Sequence, residues 1–294
     1  MKTTFFLFAA SFLLLACSND DKSTQPEEQN TELKIKKLSK TFYVEDGTSY
    51  RLDYLYDESG KRTKWIQDFY DENTLFHDDY LYNADGNILE SKTTNVTENR
   101  VIRIISYDYD SANRISTVTY NSPSGLTNNS YLTYENNNVF IEDDFGGTKK
   151  LVFSNEGKLM ETISASSDPL NGTVTETINY SGDLITSIHY EYSYGSGSTE
   201  DYIYEYDDKI NPLFENFNNN INNYIYNFMG SMKSFKTDFS KNNFTKVQFI
   251  SSLPDPSLNY TEVYTTQYND QNFPISAEIK RNGVLFEELT YEYY

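Results

Sequence analysis

Tyr107-Asp108-Tyr109-Asp110-Ser111-Ala112-Asn113 decides how this chain is read. Two aromatic rings two residues apart share one face of an extended strand. The Asp after the second ring bonds its own backbone and starts a turn, and the Asn accepts the positive φ that closes it. The same pattern recurs in Tyr54-Leu55-Tyr56-Asp57-Glu58-Ser59-Gly60 and in Tyr80-Leu81-Tyr82-Asn83-Ala84-Asp85-Gly86. Weaker copies centre on Phe153 with Gly157, Tyr206 with Asp207 and Tyr268 with Asn272; shortened ones lie at Tyr134 with Asn138 and Tyr180 with Gly182. The anchor rings at 56, 82, 109, 134, 153, 180 and 206 fall 19 to 27 residues apart, a spacing that signals stacked supersecondary units.

The arm after each turn, such as Thr63-Lys64-Trp65-Ile66 or Ile115-Ser116-Thr117-Val118, is rich in strand formers. Each unit therefore predicts a β-hairpin, and about nine in series predict a meander. The expected fold is all-β: consecutive antiparallel hairpins in a curved, largely single-layer sheet with one short helical insertion. The alternative is a closed β-barrel or a sandwich, which would cover the sheet's faces and edges.

The pattern breaks between Asn211 and Phe239. There Phe214, Phe217, Ile221, Ile225, Phe228 and Met229 recur at three- and four-residue steps, although the interleaved asparagines are poor helix formers. This insertion, about 211–239, predicts a short helix or helix-like plug that covers one end or face of the sheet, as an edge cover in preference to a functional lid.

Composition narrows the function. Of about 109 hydrophobic residues 27 are tyrosine; exchanging those for the 13 glycines leaves about 95 of 294. That third compares with the usual roughly 45–50% apolar share, so rings stand in for aliphatic side chains. The net charge is −20, and −21 once Lys2 is removed with the leader described next. This argues against nucleic acid as a partner, which would need clustered Lys and Arg. With one cysteine, no disulfide forms within the chain.

Lys2 precedes a run from Phe5 to Leu15 that is apolar apart from Ser11, a length suited to a signal peptide and short of the roughly 20 residues of a spanning helix. The run ends in Leu14-Leu15-Ala16-Cys17, which resembles the lipobox of bacterial lipoproteins. The resemblance implies a signal peptide over 1–16, acylation of Cys17, and the lipid bilayer as a partner through that acylated cysteine. Residues 17–32 then read as an acidic flexible tether and 33–294 as the hairpin-repeat domain. Asp20-Asp21 resembles the surface-export signal of Bacteroidota lipoproteins, and by the same analogy Ser18 argues against retention in the inner membrane. The implied address is the outer membrane, lipid-anchored at the cell surface, with the periplasmic face as the alternative.

Tyr109-Asp110-Ser111-Ala112-Asn113-Arg114-Ile115 resembles the YD repeat of RHS-type proteins, in which Tyr-Asp-x-x-Gly-Arg-Leu recurs. The layout is similar to Bacteroidota lipoproteins that carry a domain of unknown function built from such units. In those a late unit reads Asn-Pro, then a looser aromatic stretch, then Ser-Lys-Asn-Asn; here Asn211-Pro212 and Ser240-Lys241-Asn242-Asn243 occupy those places.

Few residues point to catalysis. His77-Asp78-Asp79 could ligate a metal but reads as a polar loop between hairpins, and His189 reads as an ordinary strand residue. No nucleophile elbow, phosphate loop or zinc spacing occurs, and no cofactor is implied. With 44 acids a carboxylate pair is always available, and Asp57, Asp85, Asp110 and Asp207 read as turn residues. The candidate ligand-binding residues are aromatic: Tyr190, Tyr192 and Tyr194 on one strand, Tyr202, Tyr204 and Tyr206 on the next, and Trp65. Sheet stability alone accounts for such ladders, while stacking on sugar rings gives them a functional reading. The expected function is a non-catalytic envelope binding module for a glycan or protein, not an enzyme. The alternatives are a structural envelope component docking through a sheet edge, and a glycan hydrolase with a carboxylate pair.

Overall fold

The computed structural model describes residues 33–44, 49–70, 74–166, 172–193, 197–214, 221–229 and 240–294. The leader, Cys17, the tether and Tyr194 lie outside the described residues. The first nine strands are β1 (Ile35–Tyr43), β2 (Ser49–Tyr56), β3 (Arg62–Phe69), β4 (Thr74–Tyr82), β5 (Ile88–Asn95), β6 (Arg100–Tyr109), β7 (Ile115–Asn121), β8 (Thr127–Glu135) and β9 (Asn138–Asp143). There follow β10 (Thr148–Phe153), β11 (Leu159–Ala165), β12 (Thr173–Ser181), β13 (Leu184–Tyr192), β14 (Ser198–Ile210), β15 (Asn242–Ser251), β16 (Tyr260–Tyr268), β17 (Pro274–Arg281) and β18 (Val284–Tyr293). One helix, α1 (Ile221–Met229), lies between β14 and β15.

Each strand pairs antiparallel with the next, as the repeat predicts. β1 also pairs with β18, from Ile35 opposite Tyr293 to Phe42 opposite Glu287, so the meander closes into an 18-stranded barrel. This corrects the expected open, single-layer sheet in favour of its barrel alternative. The reason lies in the corners. At Tyr56, Tyr82, Tyr109, Phe153, Tyr180 and Tyr268 the pairing slips by a residue, a β-bulge at the second ring of the unit. Bulges increase twist and bend the strand that carries them, and six at one end curl the sheet until its edges meet.

The turn chemistry is local and repeats. Asp57 Oδ1 accepts from the backbone N–H of Ser59 and Lys61, and Asp110 Oδ1 from Ala112 and Arg114; Asn269 Oδ1 does the same for Gln271 and Phe273. Gly60 at φ 84° and Asn113 at φ 61° supply the left-handed residue. Asp207 departs from this reading, because it lies within β14, where its carboxylate accepts from Lys209 N–H and from the Tyr268 hydroxyl.

A second hydrogen bond recurs between units. The Tyr82 hydroxyl donates to the Arg62 carbonyl at 2.7 Å, Tyr109 to Ile88 at 2.6 Å, Tyr134 to Ile115 at 2.6 Å and Tyr180 to Leu159 at 2.9 Å. Tyr206 reaches Ile185 at 2.6 Å and Tyr293 reaches Pro274 at 2.8 Å. Each bond joins two neighbouring strands at the end where the backbone does not connect them.

The wall is apolar and aromatic inward and largely polar outward. On β14 Tyr202, Tyr204 and Tyr206 point in, while Asp201, Ile203 and Glu205 point out; on β16 Glu262, Tyr264 and Thr266 alternate with Val263, Thr265 and Gln267. Cross-strand ion pairs decorate the outside, such as Lys64–Asp79 at 3.1 Å and Lys246–Glu205 at 2.8 Å. A membrane-spanning barrel has the reverse order, an apolar band outside and a polar interior. Among the described residues no helix is long and apolar enough to cross a membrane.

The helix fills part of the lumen rather than covering an edge, since closure leaves no edge to cover. Ile225 is fully enclosed, Tyr224 meets Phe153 at 5.5 Å, and Tyr226 meets Tyr80 and Tyr107 at 6.0 and 5.8 Å. Asn222 fixes its start: its side-chain oxygen accepts from Ile115 N–H and its amide donates to the Asn113 carbonyl. Asparagine is a weak helix former, but here it ties the plug to a corner.

Two substitutions separate the inter-corner bond from simple ring burial. Tyr134→Phe keeps the ring but strands the Ile115 carbonyl, and we expect a loss of about 1–2 kcal/mol in urea unfolding. Tyr131→Phe, on the exposed outer face of the same strand, should unfold within error of the parent.

Candidate functional site

Inside the barrel lies a cavity of about 350 Å³. Its walls come from β1, β2 and the run β13–β18, and the strand period sets which residues reach it. Tyr190 and Tyr192 stack at 6.3 Å, Tyr190 meets Tyr202 edge-on at 5.8 Å, and Tyr202 leans on Phe249 at 4.9 Å. Farther along, Tyr204 meets Phe244 at 5.2 Å and Phe244 meets Tyr264 at 5.9 Å. The register places Glu200 opposite Tyr190 and Tyr202 opposite Ile188, so the rings meet diagonally across the β13–β14 pair.

The sequence-derived aromatic set is thus partly brought together. Tyr190, Tyr192, Tyr202 and Tyr204 share the inward face and line the cavity. Tyr206 faces inward too, but its hydroxyl is bound to the Ile185 carbonyl and to Ser240, and it holds a corner. Trp65 is buried on β3 and lines a different, smaller cavity. The part of the ladder that these four rings form belongs to the inner wall of the barrel.

Charged groups sit among the rings. Arg281 lies between the faces of Tyr260 and Phe286, at 4.2 and 3.6 Å, and its Nε and Nη2 bind Glu262 Oε1 at 3.0 and 2.7 Å. The Tyr264 hydroxyl donates to the other oxygen of Glu262 at 3.2 Å, and Tyr192 donates to Glu200 at 2.9 Å. Glu287 is different. Burial pushes its carboxyl up to about 7, the Glu262 charge adds to this, and Lys40 and Arg281 oppose it. Sequence reading missed Arg281, Glu262 and Glu287 because a charged residue on a strand reads as outward-facing, and only the register, with Glu262 opposite Arg281, sets these three on the inner face of β16, β17 and β18.

The histidines do not join this site. His77 lies within β4, not in a loop, on the outer face, while its neighbour Asp78 is buried inside. His189 Nδ1 lies 2.7 Å from Asp201 Oδ1 on the outer wall. Among the described residues no group of three His, Cys, Asp or Glu is placed to hold a metal.

Glu287 gives a pH test. A carboxyl raised from about 4.5 toward 7 in the fold binds its proton more tightly folded than unfolded, so stability falls as pH rises through that window and then levels off. Glu287→Gln removes the titration. At pH 8 the variant should melt higher than the parent by about 3 °C or more, and at pH 4 the two should coincide. A parent curve flat from pH 4 to 8 would contradict the assignment.

No family model matches the sequence, and no curated protein matches it. Among solved structures the chain is similar to a porin-like protein from Bacteroides uniformis, with 14% identity, 88% of this chain and 96% of that chain covered, and a TM-score of 0.44. A porin-like protein from Bacteroides vulgatus gives 10% identity, 89% and 99% coverage, and a TM-score of 0.38. A TcdB2-TccC3 structure gives 10% identity and a TM-score of 0.34 over 83% of this chain and 14% of that chain. At such scores these likenesses assign neither a family nor a function.

Proposed function

We propose that this protein is a non-catalytic binding module of the cell envelope that takes a small ring-bearing ligand, a glycan fragment above all, into its lumen. The observation that carries the reading is the cavity itself: about 350 Å³, walled by stacked tyrosines and studded with a few held charges. Binding pockets combine these features, with apolar faces supplying area and sparse polar groups setting orientation. Tyr192 and Tyr202 offer ring faces, while Glu200, Glu262 and Arg281 offer acceptors and donors to hydroxyls. Anchoring through acylated Cys17, with the acidic tether, places the module at the outer membrane in this reading. That part rests on the sequence of residues 5–21.

A second reading, a structural envelope component docked on another protein, is favoured by a different observation. Leu126, Tyr131, Phe140 and Phe145 are exposed on β8, β9 and the adjoining turns. Closure pairs β1 with β18, so such docking would use this outer wall in place of a sheet edge.

Titration calorimetry against a panel of soluble oligosaccharides tests the first reading. Heat of binding should appear for at least one member, fall at least tenfold in affinity in Tyr192→Ala and Tyr202→Ala, and persist in Trp65→Phe. Unchanged affinity in both tyrosine variants would rule out the luminal site. Reducing ends released from the bound member by the parent, but not by Glu287→Gln, would replace binding with hydrolysis. A protein partner copurified in mild detergent and lost in Phe140→Asp would favour docking.

A further inference from the structure

A second, smaller chamber lies behind Tyr54, which lines both cavities. The described residues hold five buried side-chain atoms without a hydrogen-bond partner, and four of them belong to residues around this chamber of about 30 Å³. They are Arg62 Nε, Trp65 Nε1, Asp78 Oδ1 and the Tyr107 hydroxyl. Unpartnered buried polar atoms are rare and costly, and their convergence from β3, β4 and β6 marks a place built for an occupant.

Charge identifies the occupant. Arg62 is half-buried with its Nε enclosed, and its guanidinium lies over the faces of Tyr54 and Tyr56 at 4.9 and 5.9 Å. The carboxylate nearest in kind, Asp78, is already engaged through Oδ2 by Arg103 at 3.3 Å. Among the described residues no carboxylate pairs with Arg62. Two guanidiniums against one carboxylate leave the chamber a positive charge enclosed by rings, a state that a mobile counterion relieves. The N–H groups of Arg62 and Trp65 can only donate, and the Tyr107 hydroxyl can donate as well. The volume suits one or two water-sized particles and excludes a polyatomic oxyanion.

We propose that this chamber is a binding site for one small monovalent anion of halide size, held by Arg62 Nε–H, Trp65 Nε1–H and the Tyr107 hydroxyl. Asp78 Oδ1 is the acceptor that faces the same space. Its carboxyl, raised by burial, is raised further by a neighbouring anion, so binding takes up a proton and tightens as pH falls. The other charged or titratable groups facing the chamber are Arg103, Tyr54, Tyr80 and Tyr226, and burial raises Tyr80 and Tyr226 above the ordinary phenol value.

Trp65 is the only tryptophan, so its fluorescence reports the site directly. The full-length protein is titrated with sodium bromide against sodium gluconate at constant ionic strength. A saturable quench is expected, competed by chloride, tighter at pH 5.5 than at pH 7.5, weakened at least fivefold in Tyr107→Phe and lost in Arg62→Met. Tyr107→Phe removes one hydroxyl and little volume, so it keeps the test alive if Arg62→Met does not fold. Crystals soaked in bromide should give an anomalous peak within hydrogen-bond distance of Arg62 Nε and Trp65 Nε1. A quench that stays linear and equal in the variants, or density for a water that accepts from Arg62 and gives to Asp78 with no bromide peak, would overturn the proposal.

Discussion

A tyrosine hydroxyl donating to a backbone carbonyl one unit away is the bond on which this barrel depends. At the end where the bulged corners lie, the chain itself joins β2 to β3, β4 to β5 and so on, but leaves β3 and β4, or β5 and β6, joined only at the far end. Tyr82, Tyr109, Tyr134, Tyr180, Tyr206 and Tyr293 bridge those gaps. Around much of the rim covalent corner and tyrosine bond alternate, so neighbouring hairpins are tied to each other at the end where the backbone leaves them apart. Each such bond is worth about 1 kcal/mol net, but a bulge leaves backbone groups off the ladder, and burying those without a partner costs more.

The same rings decide what the interior becomes. Aliphatic residues are too few to fill the bore of an 18-stranded wall, and tyrosines that end in a polar group cannot all meet at its centre. Part of the space is taken by α1, whose Ile225 and Tyr224 complete the larger apolar cluster. The remainder stays open beside the smaller cluster, and its charges are held in place by rings, as Arg281 is by Tyr260 and Phe286. Cavity and plug are two answers to one shortage of volume.

Much of the local structure was legible because it is written locally. Asp57-Glu58-Ser59-Gly60 and Asp110-Ser111-Ala112-Asn113 carry their own turn chemistry, and rings two apart guarantee a shared face. The period does not say which face. Whether Tyr202 and Tyr204 look outward or inward depends on Ile35 meeting Tyr293, residues from opposite ends of the domain with no local trace of their pairing. Asn222 read as a weak helix former because its value lies in two bonds to a corner more than a hundred residues away. Arg62, Asp78 and Tyr107 look unremarkable singly, and only the stacking of three strands turns them into one polar chamber.

The seam has a mechanical side. β1 lies between β2 and β18, and its first residues are clasped where the Tyr294 N–H donates to the Lys34 carbonyl. Traction applied at residue 33 along the strand axis cannot peel hydrogen bonds one at a time; it must slide β1 past both flanking strands at once, loading two ladders in shear. A pull transmitted through the tether therefore meets two ladders loaded in shear.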